Sequence, residues 1–262
     1  MKKFTYYFKV WWMMSKNSFL TMLNHRIGVF VFMTGKILRF VFFGVFIYFL
    51  LSKIDTLAGY SFHQTLFFFL TYNLIDVISQ FLYREAYRFR GLIVTGNFDL
   101  VLIKPINALF RSLMGGADIL DFFTIPPLIG IICYVGIQLG PTTGQVILYI
   151  LLVLNGLVIA TAFHIAVLSM GIITLEIDHT IMIYRDLTNL GKLPIDIYKQ
   201  PIKGILTYLI PVGTMITLPA KVIMGLVTPI SIAASFALGV LMIVLSLKFW
   251  NLALKKYTSA SS

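Results

Sequence analysis

Asp178, His179, Arg185 and Asp186 crowd one short stretch of an otherwise apolar chain, with Glu176 just ahead of them. Groups of these types could move a proton, hold a metal ion or pair charge with charge, and their spacing discriminates among those chemistries. His179 and Asp186 stand a heptad apart on one helical face, but two ligands without a third make a poor metal site. The remaining histidines, His25, His63 and His164, are scattered, and the single cysteine, Cys133, excludes an internal disulfide and a cysteine-based zinc site. The segment GVFVFMTGKI, residues 28–37, has the wrong glycine spacing for a phosphate-binding loop and ends on Ile where Ser or Thr would ligate magnesium. No Ser or Cys has a base and an orienting acid near it in sequence. The chain is therefore read as a non-enzyme with no metal and no cofactor of its own. Asp178 and Arg185 also share a helical face, and they fit either a pairing cluster at the mouth of a membrane span or, with Asp76, a relay for a coupled ion.

The elements that must position these groups are membrane helices. The chain has 262 residues, of which 59% are hydrophobic, 15% aromatic and only 12% charged, and its mean hydropathy is +0.91. That balance is far from a soluble domain's. At ~20 residues per span, the length predicts an all-α polytopic membrane protein with about six transmembrane helices, as one membrane domain over 1–262. The formal net charge of +11 is spread over the ends of apolar runs instead of one basic face, which points to anionic lipid headgroups and away from nucleic acid. Lys9 and Lys16 interrupt the early apolar residues and no small-residue cleavage site follows, so no cleavable signal is expected. Residues 2–25 instead set Lys2, Lys9 and Lys16 at heptad spacing apart from Phe4, Tyr7, Phe8, Trp11, Phe19 and Met22. This is an amphipathic helix that lies in the membrane interface or against a partner.

The first span is expected over 32–51, with Lys36 and Arg39 near enough to its start to snorkel; a start near Arg26 would carry both charges deeper. The second covers 62–83, and its Asn73, Asp76 and Gln80 form a polar stripe that suits either a pathway lining or helix-to-helix contact. Arg84, Arg88, Arg90, Lys104 and Arg111 make the loop over 84–111 cytoplasmic by the positive-inside rule. The third span, 113–137, is expected to kink at Pro126 and Pro127, and the fourth covers 145–173. The fifth must cross through the charged stretch, roughly 175–194. After it, Pro194, Pro201, Pro211 and Pro219 break residues 193–225 into short outer re-entrant helices. The sixth runs over 229–250 and ends near Lys248, Lys255 and Lys256, which places both termini in the cytoplasm of a cell (plasma) membrane protein. Lys192, Lys199, Lys203 and Lys221 then lie outside, against the same rule.

Within the basic loop stands GNFDLVLIKPIN, residues 96–107. Gly96 and Asn97 allow a tight turn, Asp99 can cap a helix, Leu100, Val101, Leu102 and Ile103 offer an apolar plug, and Pro105 stops the helix after Lys104. A chain without an engine must receive work through a contact that two states of a partner bind differently. Phe98, Leu100, Val101 and Leu102 are the expected contact, with Arg84, Arg88, Arg90 and Lys104 pairing with a partner's acids or lipid phosphates. An interfacial helix held by lipid alone fits the same periodicity.

The order of these features resembles the membrane subunits of ABC-2 type exporters, the ATP-binding-cassette permeases, over nearly the whole chain. Within that family it is similar to a subgroup described only as uncharacterised transport-system permeases. The match rests on Gly59-Tyr60 before span two, on Gly96 through Asp99, Leu102, Lys104 and Pro105, and on Pro194, Ile197-Tyr198, Pro211 and Pro219-Ala220. Lys199-Gln200-Pro201 departs from the Tyr-Pro pair and following basic residue that the pattern would place there. The resemblance implies half of an export pathway, a second permease as homodimer or related paralogue, and two separate ATPase subunits that carry the ATP and magnesium. It makes the 84–111 loop an ATPase-coupling element, while Asn73, Asp76, Gln80, Asp178 and Arg185 remain candidates for the pathway. The rival classes are an ion-coupled secondary transporter and a non-transporting membrane partner such as an immunity subunit.

Overall fold

The computed structural model describes residues 2–54, 56–175 and 177–258, so Glu176, grouped above with the other acids, lies outside it. Among the described residues the chain is helical, with one isolated bridge between Leu57 and Tyr60. Helix α1 (Lys2–Leu23) lies across one end of a bundle formed by α2 (Arg26–Leu51), α3 (Phe62–Tyr83), α7 (Ile119–Gln138), α8 (Thr143–Thr174) and α12 (Pro229–Lys256). At that same end, here the loop end, a 3-10 turn (Arg84–Arg88) continues α3 into three short helices, α4 (Phe89–Val94), α5 (Asn97–Leu102) and α6 (Ala108–Leu113). Helix α9 (Ile177–Asn189) also begins there, and α10 (Ile202–Leu209) and α11 (Gly213–Ile223) lie toward the far end.

The helices that start at the far end share one local signal. Ser61 with Gln64, Thr142 with Gln145, and Thr228 with Ser231 each form a reciprocal capping box, which satisfies backbone N–H groups where α3, α8 and α12 enter apolar surroundings. Pro229 occupies the first turn of α12, where its missing N–H costs nothing. Helix α7 starts from the Asp118 side chain, which accepts the Leu120 N–H at 2.8 Å. It then stays helical through Pro126 and Pro127, so the backbone does not unwind there. It begins after the predicted 113, because residues 114–118 form a turn that separates it from α6.

Among the described residues, five helices are long and apolar enough to span a membrane, counting α3 with its extension to Val94, and a sixth crossing exists only if α10 and α11 count as one bent span. The single fifth span predicted over 175–194 is thus corrected. Helix α9 has 13 residues, or ~20 Å, against a hydrocarbon core of ~30 Å. The crossing is instead shared along α8. The Tyr184 ring of α9 lies 4.8 Å from His164 in the loop-end half. In the far half, a Cβ added to Gly156 would stand 2.6 Å from the Met215 carbonyl oxygen of α11, so only glycine admits that backbone. Between them α10 and α11 meet at a 74° bend, and both contain wide i→i+5 turns, as expected for a proline-interrupted segment that needs protein around it.

Two buried clusters hold these elements. One joins α3, α7, α8 and α11 around Phe67, Phe68, Ile75, Ile159 and Met215. The other lies at the loop end around Phe89, Phe98, Leu168, Tyr184 and Trp250. Helix α12 is fixed to α8 by Asn155, whose amide donates to the Ser235 backbone and hydroxyl oxygens, both at 2.9 Å. Helix α2 stands apart: Ile47 is the one residue of it that is buried. Helix α1 lays Tyr7 on Phe110, Trp11 on Phe81 and Phe19 on Phe122, while Phe4, Phe8, Trp12 and Leu20 face outward. Phe4 and Phe8, expected on one apolar face with Tyr7, Trp11 and Phe19, thus point away from the bundle, and α1 presents apolar side chains on both sides.

Candidate functional site

The GNFDLVLIKPIN stretch is built around a reversal. Gly96 has φ +72°, in the left-handed region, and turns the chain from α4 into α5. No neighbour would touch a Cβ there, so the demand is conformational only. Gly96→Ala is expected to destabilise by about 1 kcal/mol. Gly91→Ala, in a helical position with open space around it, should be neutral or slightly stabilising, and thermal unfolding of the two detergent-purified variants checks the contrast.

Helix α5 splits the predicted plug in two. Phe98 and Val101, i and i+3, share the inner face and are buried. The Phe98 ring meets Phe89 and Tyr257 edge-on, each at 5.1 Å, and lies 6.4 Å from Trp250 of α12. They are therefore not available to a partner, contrary to the expectation that they would seat in one. The outward edge is Leu100 (51% exposed), Leu102 (40%) and Ile103 (78%), beside Val94 of α4 (56%). The helix ends at Leu102, so Lys104 and Pro105 are exposed beyond it and Pro105 is not its stop. Asp99 sits in the first turn, where a negative charge suits the helix dipole, but Gly96 holds the cap position. The Asp99 carboxylate accepts the Tyr257 hydroxyl at 2.9 Å. Burial, then this carboxylate, pushes the Tyr257 hydroxyl up to about 12, so it remains a donor at working pH.

The arginines around α5 are engaged within the chain. Arg84 pairs with Asp118 at 3.3 Å and lies over the Tyr87 ring. Glu85 takes Arg111 at 2.7 Å and Arg88 at 3.8 Å, and Arg90 reaches Asp178 at 3.7 Å. Arg84, expected to face a partner, is here held by Asp118. Arg88 and Arg90 are half exposed on long ion pairs, which contribute little and exchange readily. Lys104 makes no ion pair among the described residues.

Inside the bundle, α2 starts at Arg26, so Lys36 and Arg39 stand ~15 and ~20 Å along it. They pair instead of snorkelling: Lys36 forms a short ion pair with Asp121 of α7, and Arg39 reaches Asp76 of α3 at 3.8 Å. The stripe on α3 divides. Gln80 donates to Asp76 at 2.8 Å, whereas Asn73 is buried and donates to the Phe69 carbonyl of its own helix at 2.7 Å. Tyr72 reaches Asn189 of α9 at 2.8 Å. On α9, Ile177, Ile181, Tyr184 and Thr188 face the bundle, and Asp178, Met182, Ile183, Arg185 and Asp186 face outward. Asp178 and Arg185 do lie on the exposed side, but Asp178 pairs with Arg90 and Arg185 makes no ion pair among the described residues.

Sequence reasoning missed Asp121, Asp196 and Tyr257. An acid near the start of an apolar run, as Asp121 is, calls for a cation, and Lys36, read from sequence as snorkelling, supplies it. Tyr257 carried no such signal.

The family model described as ABC-2 family transporter protein matches residues 37–261. No curated protein matches, and no solved structure does. The chain belongs to the ABC-2 transporter family, and it is a multi-pass membrane permease of that kind.

Proposed function

We propose that this permease forms half of an exporter's translocation pathway, beside a second permease, and is driven by two separate ATPase subunits that bind ATP and magnesium. The observation that carries the reading is α5, whose inner face is locked to α4 and α12 while its outer edge of Leu100, Leu102 and Ile103 stays open. Such a helix can take a push from a partner and pass it to two spans without yielding, because Phe98 touches both Phe89 at the end of α3's extension and Trp250 of α12. Arg88, Arg90 and Lys104, exposed in the same loop, offer positive charge suited to a partner's acids. In this reading the loop end and both termini are cytoplasmic. The charged outward face of α9 and the loosely held α2 are the surfaces left for the second permease and the pathway, with Asp76, Gln80, Asp178 and Arg185 nearest to them; Asn73 is turned into the bundle.

Leu100→Asp with Leu102→Asp is expected to abolish co-purification of the ATPase from native membranes, because a carboxylate at each apolar contact costs ~2–4 kcal/mol of binding. The fold should survive, since both positions are exposed. An ATPase recovered in wild-type yield with a variant of unchanged thermal midpoint would overturn the reading.

A further inference from the structure

At the far end, α10, α11 and the start of α12 enclose a cavity of about 320 Å³ that none of the foregoing uses. Its polar wall is built on Asp196. One carboxylate oxygen accepts Lys203 Nζ at 2.8 Å, and the other accepts Lys221 Nζ at 2.6 Å and the Tyr60 hydroxyl at 2.9 Å. Burial alone would raise this carboxyl, but the hydrogen bonds from Lys203, Lys221 and Tyr60 outweigh it and hold it at about 2. One carboxylate therefore faces two ammonium groups, and three donors converge on its two oxygens. The Gln200 side-chain carbonyl accepts the Gly204 N–H at 3.1 Å, and its amide N–H groups have no partner among the described residues. What remains on this wall is a set of donors with a surplus positive charge, the complement of an anionic acceptor.

The position of the cavity narrows the ligand further. Tyr60 adjoins Ser61, the cap of α3, and Thr228 caps α12, so the charged wall stands at headgroup height. The opposite wall descends past Leu226 to Leu238, ~13 Å into α12. The lining is mostly apolar by surface, with the hydroxyls of Thr207, Thr214, Thr217, Ser231 and Ser235 set among the apolar groups and the two lysines on the Asp196 wall.

We propose that this cavity binds the phosphate-bearing headgroup of an anionic amphiphile, with the adjoining hydrocarbon against Leu226 and Leu238. The site also accounts for lysines on the face where the positive-inside rule disfavours them: Lys203 and Lys221 are held by Asp196 and completed by the ligand. The inference concerns the far end alone and stands whether or not an ATPase drives the chain.

The test uses full-length protein in neutral detergent, exposed to mixed micelles of equimolar phosphatidylglycerol and phosphatidylcholine, with retained lipid counted by native mass spectrometry. Wild type should retain phosphatidylglycerol preferentially. Lys203→Gln should cut that preference about fivefold, and Asp196→Asn, which releases both lysines, should raise it by a similar factor. Loss of fold cannot move the two variants in opposite directions. Displacement of the lipid by millimolar inorganic phosphate would assign recognition to the phosphate group itself, and resistance to it would assign recognition to the lipid as a whole; both support the site. Equal retention of the two lipids by wild type, or a shift of the same sign in both variants, would overturn the proposal.

Discussion

Phe98→Ala is expected to destabilise the loop end by about 3–5 kcal/mol, the range for truncating a fully buried aromatic. The ring is 0% exposed and touches Phe89, Trp250 and Tyr257. Its removal leaves a hole where α4, α5 and α12 meet, and the left-handed turn at Gly96 and the exposed residues after Leu102 give the segment little else to lean on. Leu100→Ala, on the exposed face of the same helix, should stay within about 0.5 kcal/mol. Tyr257→Phe keeps the ring against Phe98 and removes only the hydroxyl bond to Asp99, so it should cost about 1 kcal/mol. Thermal unfolding ranks the variants, and protease cleavage within residues 84–111 reports whether α5 has come loose. If Phe98→Ala kept both the wild-type midpoint and the wild-type protection, the ring cluster would not be what holds α5. The same variant separates anchoring from docking. It should weaken ATPase engagement in proportion to the loosening of α5, whereas the Leu100 and Leu102 changes act with α5 still in place.

The spans bounded by capping signals and long apolar runs were legible in the sequence, because a helix of ~20 apolar residues has few alternatives in a membrane. The fifth crossing was not. Its charges and prolines signalled disruption, but they do not say that α9 and α11 would divide the length of α8 between them, which depends on where Gly156 lets α11 approach. The coupling stretch shows a second limit. Leu100, Val101, Leu102 and Ile103 are apolar in succession, and a six-residue helix has too few turns for periodicity to mark an inner face. Only the packing against Phe89 and Trp250 selects Phe98 and Val101. The lysines at the far end were a conflict in sequence because the neutralising acid, Asp196, meets Lys221 only after the α10–α11 turn has folded back.

Lys36→Met is expected to cost about 3–5 kcal/mol, since it leaves a buried carboxylate without its cation. Asp121 is 1% exposed, and its second oxygen has no hydrogen-bond partner among the described residues that could compensate the charge. The double change Lys36→Met with Asp121→Leu should recover most of that loss, because two apolar side chains in apolar surroundings replace a pair whose desolvation offsets much of its attraction. Thermal midpoints of the single and double variants measure the coupling directly. The recovered double variant then addresses what the pair does beyond stability. Helix α2 has little buried surface, and the apolar cavity of about 460 Å³ that it forms with α3 and α7 leaves the ion pair as one of its few specific tethers. If α2 must part from α7 during the transport cycle, a stable double variant with the tether removed should show an altered transport rate. If the pair only fixes packing, transport should follow the midpoint. A single variant as stable as wild type would mean that the Asp121 carboxylate is not held by Lys36, and both arguments would fail together.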